Sequence, residues 1–145
     1  MNLEATGLGA ALHELADQVA TIFKISCRFR WDDSILVRDN TKATHLYYIA
    51  REAVNNAIKH GKAQAVVIGL DRVKDRVILT VKDDGIGLPE EVERTKGMGL
   101  HTMNHRARMI GASLAVKQDP AGGTMVACSF KTDQVERKGR GGHDG

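Results

Sequence analysis

Residues 51–60 read Arg51-Glu52-Ala53-Val54-Asn55-Asn56-Ala57-Ile58-Lys59-His60, the second half of a segment whose apolar residues recur at helical spacing. At about 100° per residue, Ala43, Leu46, Tyr47, Ala50, Ala53, Val54, Ala57 and Ile58 fill one arc, which is expected to be core. Glu52, Asn55, Asn56 and Lys59 fall on the opposite arc. Asn40 or Thr41 can cap the start, and the spacing predicts a helix from about 42 to Lys59 that stops at Gly61. Glu52 and Asn56 are four apart and therefore neighbours on the helix surface. A carboxylate beside an amide oxygen can hold a hard cation through water, or orient a nucleophile. A merely solvated polar face has the same pattern, so the rest of the chain must decide.

Upstream, Leu8, Ala11, Leu12, Leu15, Val19 and Ile22 predict an amphipathic helix over 8–22. Ile25, Cys27, Phe29 and Trp31 then alternate with polar partners as a half-buried strand does, and a short run from Ile35 to Val37 follows. Downstream, two strands are expected, Ala65 to Leu70 and Arg76 to Asp83, joined by a turn at Lys74-Asp75. A helix over 101–110 ends at Gly111, and a hairpin pairs Ser113 to Gln118 with Thr124 to Lys131 around Asp119-Pro120-Ala121-Gly122-Gly123. Residues 84–99 show no periodic element. Residues 132–145 mix charge and glycine without a period, so they are expected to be a disordered tail behind one domain over 1–131. This order predicts an α+β two-layer sandwich: a mixed, mostly antiparallel sheet covered on one face by about three helices.

Composition narrows the function classes. The 145 residues, 42% hydrophobic and 27% charged, suit one globular domain. No run approaches the roughly 18 apolar residues of a membrane helix, and no signal core follows a basic N-terminus. Cys27 and Cys128 form no paired C-x-x-C, which argues against a zinc or disulfide scaffold and suits a reducing cytoplasm. A net charge of +3, with six aromatics not interleaved in a basic run, gives no reason to expect nucleic acid.

The strand ending at Asp83 carries the second clue. Val77, Leu79, Val81 and Asp83 share one parity, so an inward apolar set takes Asp83 inward with it. An inward carboxylate needs hydrogen-bond donors, because burying it unpaired costs several kcal/mol. The exocyclic amine of an adenine is such a donor. After Asp83-Asp84-Gly85 the chain does not alternate as a returning strand would, so the turn opens into a loop. Gly85 and Gly87 bound that loop at one end, Gly97 and Gly99 at the other. Paired glycines suit a segment that folds around a ligand and hinges at its ends. Gly97-Met98-Gly99-Leu100 leads into a helix whose first amides make an anion site for phosphate. There is no G-x-x-x-x-G-K-[ST], and the glycines lack the G-x-G-x-x-G spacing after a strand.

Taken in order, Arg51 to His60, Asp83-Asp84-Gly85-Ile86-Gly87 and Gly97-Met98-Gly99-Leu100 resemble the N, G1 and G2 boxes of the GHKL ATPases, which include gyrase, heat-shock 90 chaperones, histidine kinases and MutL. The resemblance spans about residues 8 to 131. The short loop, with Met103, Arg106 and Gly111 after the last box, is similar to the catalytic domain of sensor histidine kinases paired with regulators of the nitrate-response type. It implies the Bergerat ATP-binding fold, ATP and Mg²⁺ as cofactors, and transfer of the γ-phosphate to a histidine on a separate dimerisation domain. A response regulator would stand beyond that domain.

Residue by residue, the resemblance implies that Asn56 binds the Mg²⁺ bridging the phosphates, and that Glu52 is the polarising carboxylate, with a possible hold on the metal through water. Lys59 and His60 match positions near the phosphates. Asp83 would accept from adenine, with Thr124 sharing a water, and Gly123-Thr124 would close the adenine site. Gly85 and Gly87 would let the backbone pass the base, Gly97, Gly99 and Leu100 would wrap the triphosphate, and 88–96 would be the ATP lid. No dimerisation hairpin fits ahead of the N-box helix, and His13 lies too near Glu52 in sequence to be its phosphoacceptor. The expected setting is cytoplasmic, with no membrane contact by the domain itself, although the parent protein could be membrane-anchored. Two alternatives stay open at this point: a serine kinase of the anti-sigma-factor type in the same fold, and a non-catalytic module that docks a partner when ATP orders its loop.

Overall fold

The computed structural model describes residues 3–32, 35–86, 99–131 and 135–137. Helix α1 (Leu3–Phe23) is broken at Gly7, whose φ of 82° and ψ of 152° are not helical, so the regular turns follow it. Leu8, Leu12, Leu15, Ala16 and Val19 are its buried face. Strands β1 (Ser26–Trp31) and β2 (Ile35–Val37) follow. Gly9 lies so close to Trp31 that any side chain there would meet the indole ring, which seats α1 against β1.

Helix α2 (Asn40–Lys59) starts two residues earlier than its periodicity suggests. The cap is Asp39, not Asn40 or Thr41. Its extended backbone (φ −72°, ψ 113°) lets the carboxylate accept from the amides of Thr41 at 2.9 Å and Lys42 at 3.1 Å, which satisfies two of the donors left over at a helix start. Ile49 belongs to the buried arc, whereas Tyr47 and Ile58 are only partly covered.

Strands β3 (Ala65–Val73) and β4 (Arg76–Asp83), helix α3 (Leu100–Met109), and strands β5 (Ser113–Gln118) and β6 (Thr124–Lys131) complete the layers. The sheet order is β1-β3-β4-β6-β5. β1 runs parallel to β3 across the α2 connection, and the other three pairings are antiparallel. The inward sets Val66, Ile68, Leu70, then Val77, Leu79, Val81, then Val126, Cys128, Phe130 are buried beneath the helices. This is the expected α+β sandwich. Part of the stretch expected to be a structureless tail behaves otherwise: β7 (Val135–Arg137) pairs antiparallel with β2. The pairing satisfies backbone groups of β2, whose Ile35 is buried, and so short and polar a segment has no period to announce it. Residues 132–134 and 138–145 lie outside the described residues.

Candidate functional site

A cleft with about 380 Å³ of empty space, open solvent included, lies between α2, α3 and the end of the sheet. Helix α2 lines it with Ala53, Asn56 and Ala57, helix α3 with Leu100 and Met103, and the sheet with Val81, Asp83, Val116, Thr124 and Val126. Its walls are thus mainly apolar, with three polar side chains, as in small-molecule sites.

Asp83 is buried, at 8% exposure, as its strand parity requires. The amide of Gly85 donates to its Oδ1 at 2.8 Å, and the amide of Thr124 also reaches the carboxyl. Burial nevertheless pushes its pKa above the ordinary carboxylate value, with the neighbouring Asp84 adding to the rise and the two amides only partly offsetting it. The site therefore holds a buried carboxylate whose desolvation outweighs its two amide donors. Asp84 faces the other way. Its Oδ1 accepts from the amides of Gln64 and Ala65, both at 2.9 Å, and those amides hold its pKa below the usual value.

Two backbone approaches shape the floor. The Ile86 amide donates to the Gly61 carbonyl at 2.8 Å, and a side chain at Gly85 would overlap that same carbonyl. At Gly123 (φ 92°) a side chain would overlap the carbonyl of Asp83. Only glycine satisfies both the conformation and the approach there.

The Asn56 carbonyl accepts from the amides of His60 and Gly61, closing α2 just past the cavity. One turn earlier on the same face, Glu52 lies against Gly99, the left-handed residue (φ 69°) that opens α3 without a side-chain cap. The structure thus gathers Asn56, Asp83, Thr124 and Leu100 around one cleft, with Gly85 bonded to Asp83, and Glu52 against Gly99, the residue before Leu100. Lys59 and His60 are exposed at the end of α2 and are not among the lining residues. Gly87, Gly97 and the expected lid over 88–96 lie outside the described residues. Sequence reading missed Met103 and Val116 as walls. Met103 stands three residues after Leu100 on the helix, and Val116 falls on the inward parity of β5; each reads simply as core.

A buried carboxylate set between apolar walls and close to glycine backbone fits an adenine. The Asn56 amide and the first amides of α3 fit phosphates and a hard cation. Residues 41–134 match the family described as histidine kinase-, DNA gyrase B-, and HSP90-like ATPase. The chain belongs to that family, as its three boxes suggested. Among sequence relatives, it is 32% identical over 130 residues to the nitrate/nitrite sensor protein NarX of Escherichia coli K12, covering 90% of this chain and 22% of NarX. With NarQ of the same organism it is 32% identical over 141 residues, covering 94% of this chain and 24% of that protein. The chain therefore spans about a quarter of the length of these relatives. In three dimensions it is similar to the histidine kinase domain of an Erythrobacter litoralis blue-light activated kinase, with a TM-score of 0.75 at 22% identity over 88% of this chain and 62% of that one. The ATP binding domain of PrrB from Mycobacterium tuberculosis gives 0.68 at 22% identity, over 86% and 93%. The fold is that of histidine kinase catalytic domains. No helix among the described residues is long and apolar enough to cross a membrane.

Proposed function

We propose that this domain binds Mg·ATP in the cavity beside Asp83 and presents the γ-phosphate to a histidine on a separate phosphoacceptor domain, which in turn serves a response regulator. The observation that carries the reading is the buried Asp83 carboxylate, set among apolar side chains in the cleft that Leu100 and Met103 of α3 also line. Asp83 accepts the adenine amine directly, and Thr124 beside it holds a bridging water. Val81, Val126 and Met103 enclose the ring and exclude bulk solvent. Asn56 offers its amide oxygen to the cation, and the first amides of α3, from Leu100 onward, face the phosphates. Glu52, one turn from Asn56, holds a cation-bound water or orients the attacking imidazole. Lys59 and His60 reach the phosphates from the exposed end of α2. Bound Mg²⁺ supplies neutralisation of charge between the phosphates. Phosphoryl transfer asks a protein mainly for such positioning and charge compensation. The work is done in the cytoplasm, where ATP is supplied.

The test is incubation with labelled Mg·ATP and a separately expressed dimerisation domain of a related sensor kinase. Acid-labile label on that domain, lost with Asn56→Ala, is the expected result. Acid-stable label on a serine would instead favour a serine kinase, and ATP binding without any transfer would favour an ATP-gated docking module.

A further inference from the structure

Helix α3 forms one wall of the cavity through Leu100 and Met103, and its own seat is on α2 and β5. Met103 and Ala107 are buried in that seat. Beside them a polar cluster ties the same two helices together. Arg106 Nη1 of α3 lies 3.1 Å from His45 Nδ1 of α2. The Arg106 guanidinium also covers the Tyr48 ring, 4.6 Å from its centroid, and Arg51 covers that ring at 4.9 Å. A guanidinium can only donate, so His45 Nδ1 must accept, which places the ring's single proton on Nε2.

We infer that His45 and Arg106 are positioning residues for the nucleotide site: the neutral His45 ring latches α3 to α2 and so keeps Gly99 and Leu100 in register with Glu52 and Asn56. The inference rests on the nucleotide reading above and adds a pH dependence to it. A second proton on His45 removes the acceptor and leaves an imidazolium facing a guanidinium 3.1 Å away. Among the described residues, the charged or titratable groups acting on His45 are Arg106 and His105, both on α3 and neither able to offset that charge. Burial first, then Arg106 and His105, lower the pKa of His45 below the ordinary 6.5. A histidine lowered in the latched state leaves the latch at full strength above about pH 6.5 and weakens it as pH falls from there through the lower latched value.

The experiment is calorimetric titration of the chain with Mg·ATP at about pH 7.5 and about pH 5.5, for wild type, His45→Asn and His45→Leu. Asparagine keeps an acceptor near the Nδ1 position and does not titrate; leucine offers none. Titration of ATP itself, and of Asp83, is common to all three proteins and cancels in the ratio of their Kd values. The expected ratio of wild type to His45→Asn is near one at the higher pH and about two- to threefold or more at the lower, the direction the lowered His45 pKa sets. His45→Leu binds about tenfold more weakly than His45→Asn at both, and if it fails to fold the asparagine comparison alone decides. A ratio that stays at one at both pH values, with clear binding, overturns the latch and leaves the nucleotide reading standing. Absence of Mg·ATP binding by wild type at the higher pH overturns both.

Discussion

The carboxylate of Glu52 occupies the space that a Cβ on Gly99 would fill. One residue is on the polar face of α2 and the other opens α3 at φ 69°, so the contact joins the start of α3 to the helix that carries Asn56. A side chain at Gly99 meets two penalties at once, the left-handed conformation and the Glu52 carboxylate.

Gly99→Ala is therefore expected to destabilise the fold by about 1 to 3 kcal/mol. In a Glu52→Ala background the steric part disappears and only the conformational part remains, so the double variant is more stable than the sum of the two single effects predicts. Denaturant titration of the four proteins reads this coupling directly. Strict additivity would mean that Glu52 does not press on Gly99.

Asp83→Asn should separate stability from binding. Because burial raises the folded pKa of Asp83 above its unfolded value, the folded state holds more protons across that interval, and stability falls as pH rises through it. Without nucleotide, the variant is expected to melt above wild type near neutral pH, with the difference vanishing below about pH 4, where both side chains are uncharged. Its ATP affinity should fall about tenfold or more, the 1.5 to 3 kcal/mol of a hydrogen bond to a charged group. Thermal melts with and without Mg·ATP measure both. Wild type at a ligand concentration 100 times Kd should gain about 2.7 kcal/mol, and the variant less at the same concentration.

Asp84 has the opposite sign. Its carboxylate accepts the amides of Ala65 and Gln64, its pKa is lowered, and the resulting stability is present above the ordinary carboxylate value and lost as pH falls through the lower folded one. Asp84→Ala should lower the melting temperature near neutral pH and leave little difference from wild type in strong acid. Melting curves across the acid range check the slope. A variant as stable as wild type near neutral pH would show that these amides find other acceptors.

Gly123→Ala tests the closest backbone approach at the cavity floor. With φ at 92° and the Asp83 carbonyl in the way, the added methyl must displace β6 from β4. A loss of more than about 2 kcal/mol by denaturant titration is expected, together with weaker ATP binding, whereas Gly111→Ala meets a positive φ of 70° but open space and should cost about 1 kcal/mol.

Much of this was legible in the chain before folding. Periodicity located α1, α2, α3 and the five longer strands, because half-buried elements must repeat at 3.6 or 2 residues to keep one face dry. Strand parity alone turned Asp83 inward and Asp84 outward. The less legible parts depend on partners remote in sequence. Asp39 in place of Asn40 or Thr41 as the cap was decided by the extended backbone leaving β2. The pairing of β7 with β2 joins segments about a hundred residues apart, and neither strand is long enough to carry a pattern.

The sequence by itself determined the layers and the inward carboxylate, since each follows from local spacing and from the cost of burying the wrong group. Only the tertiary structure decided which groups meet. Helix packing brought Glu52 against Gly99 and His45 against Arg106, and sheet register set Gly123 on the Asp83 carbonyl. Contacts of this kind depend on how separate elements fill one space, which no local period encodes.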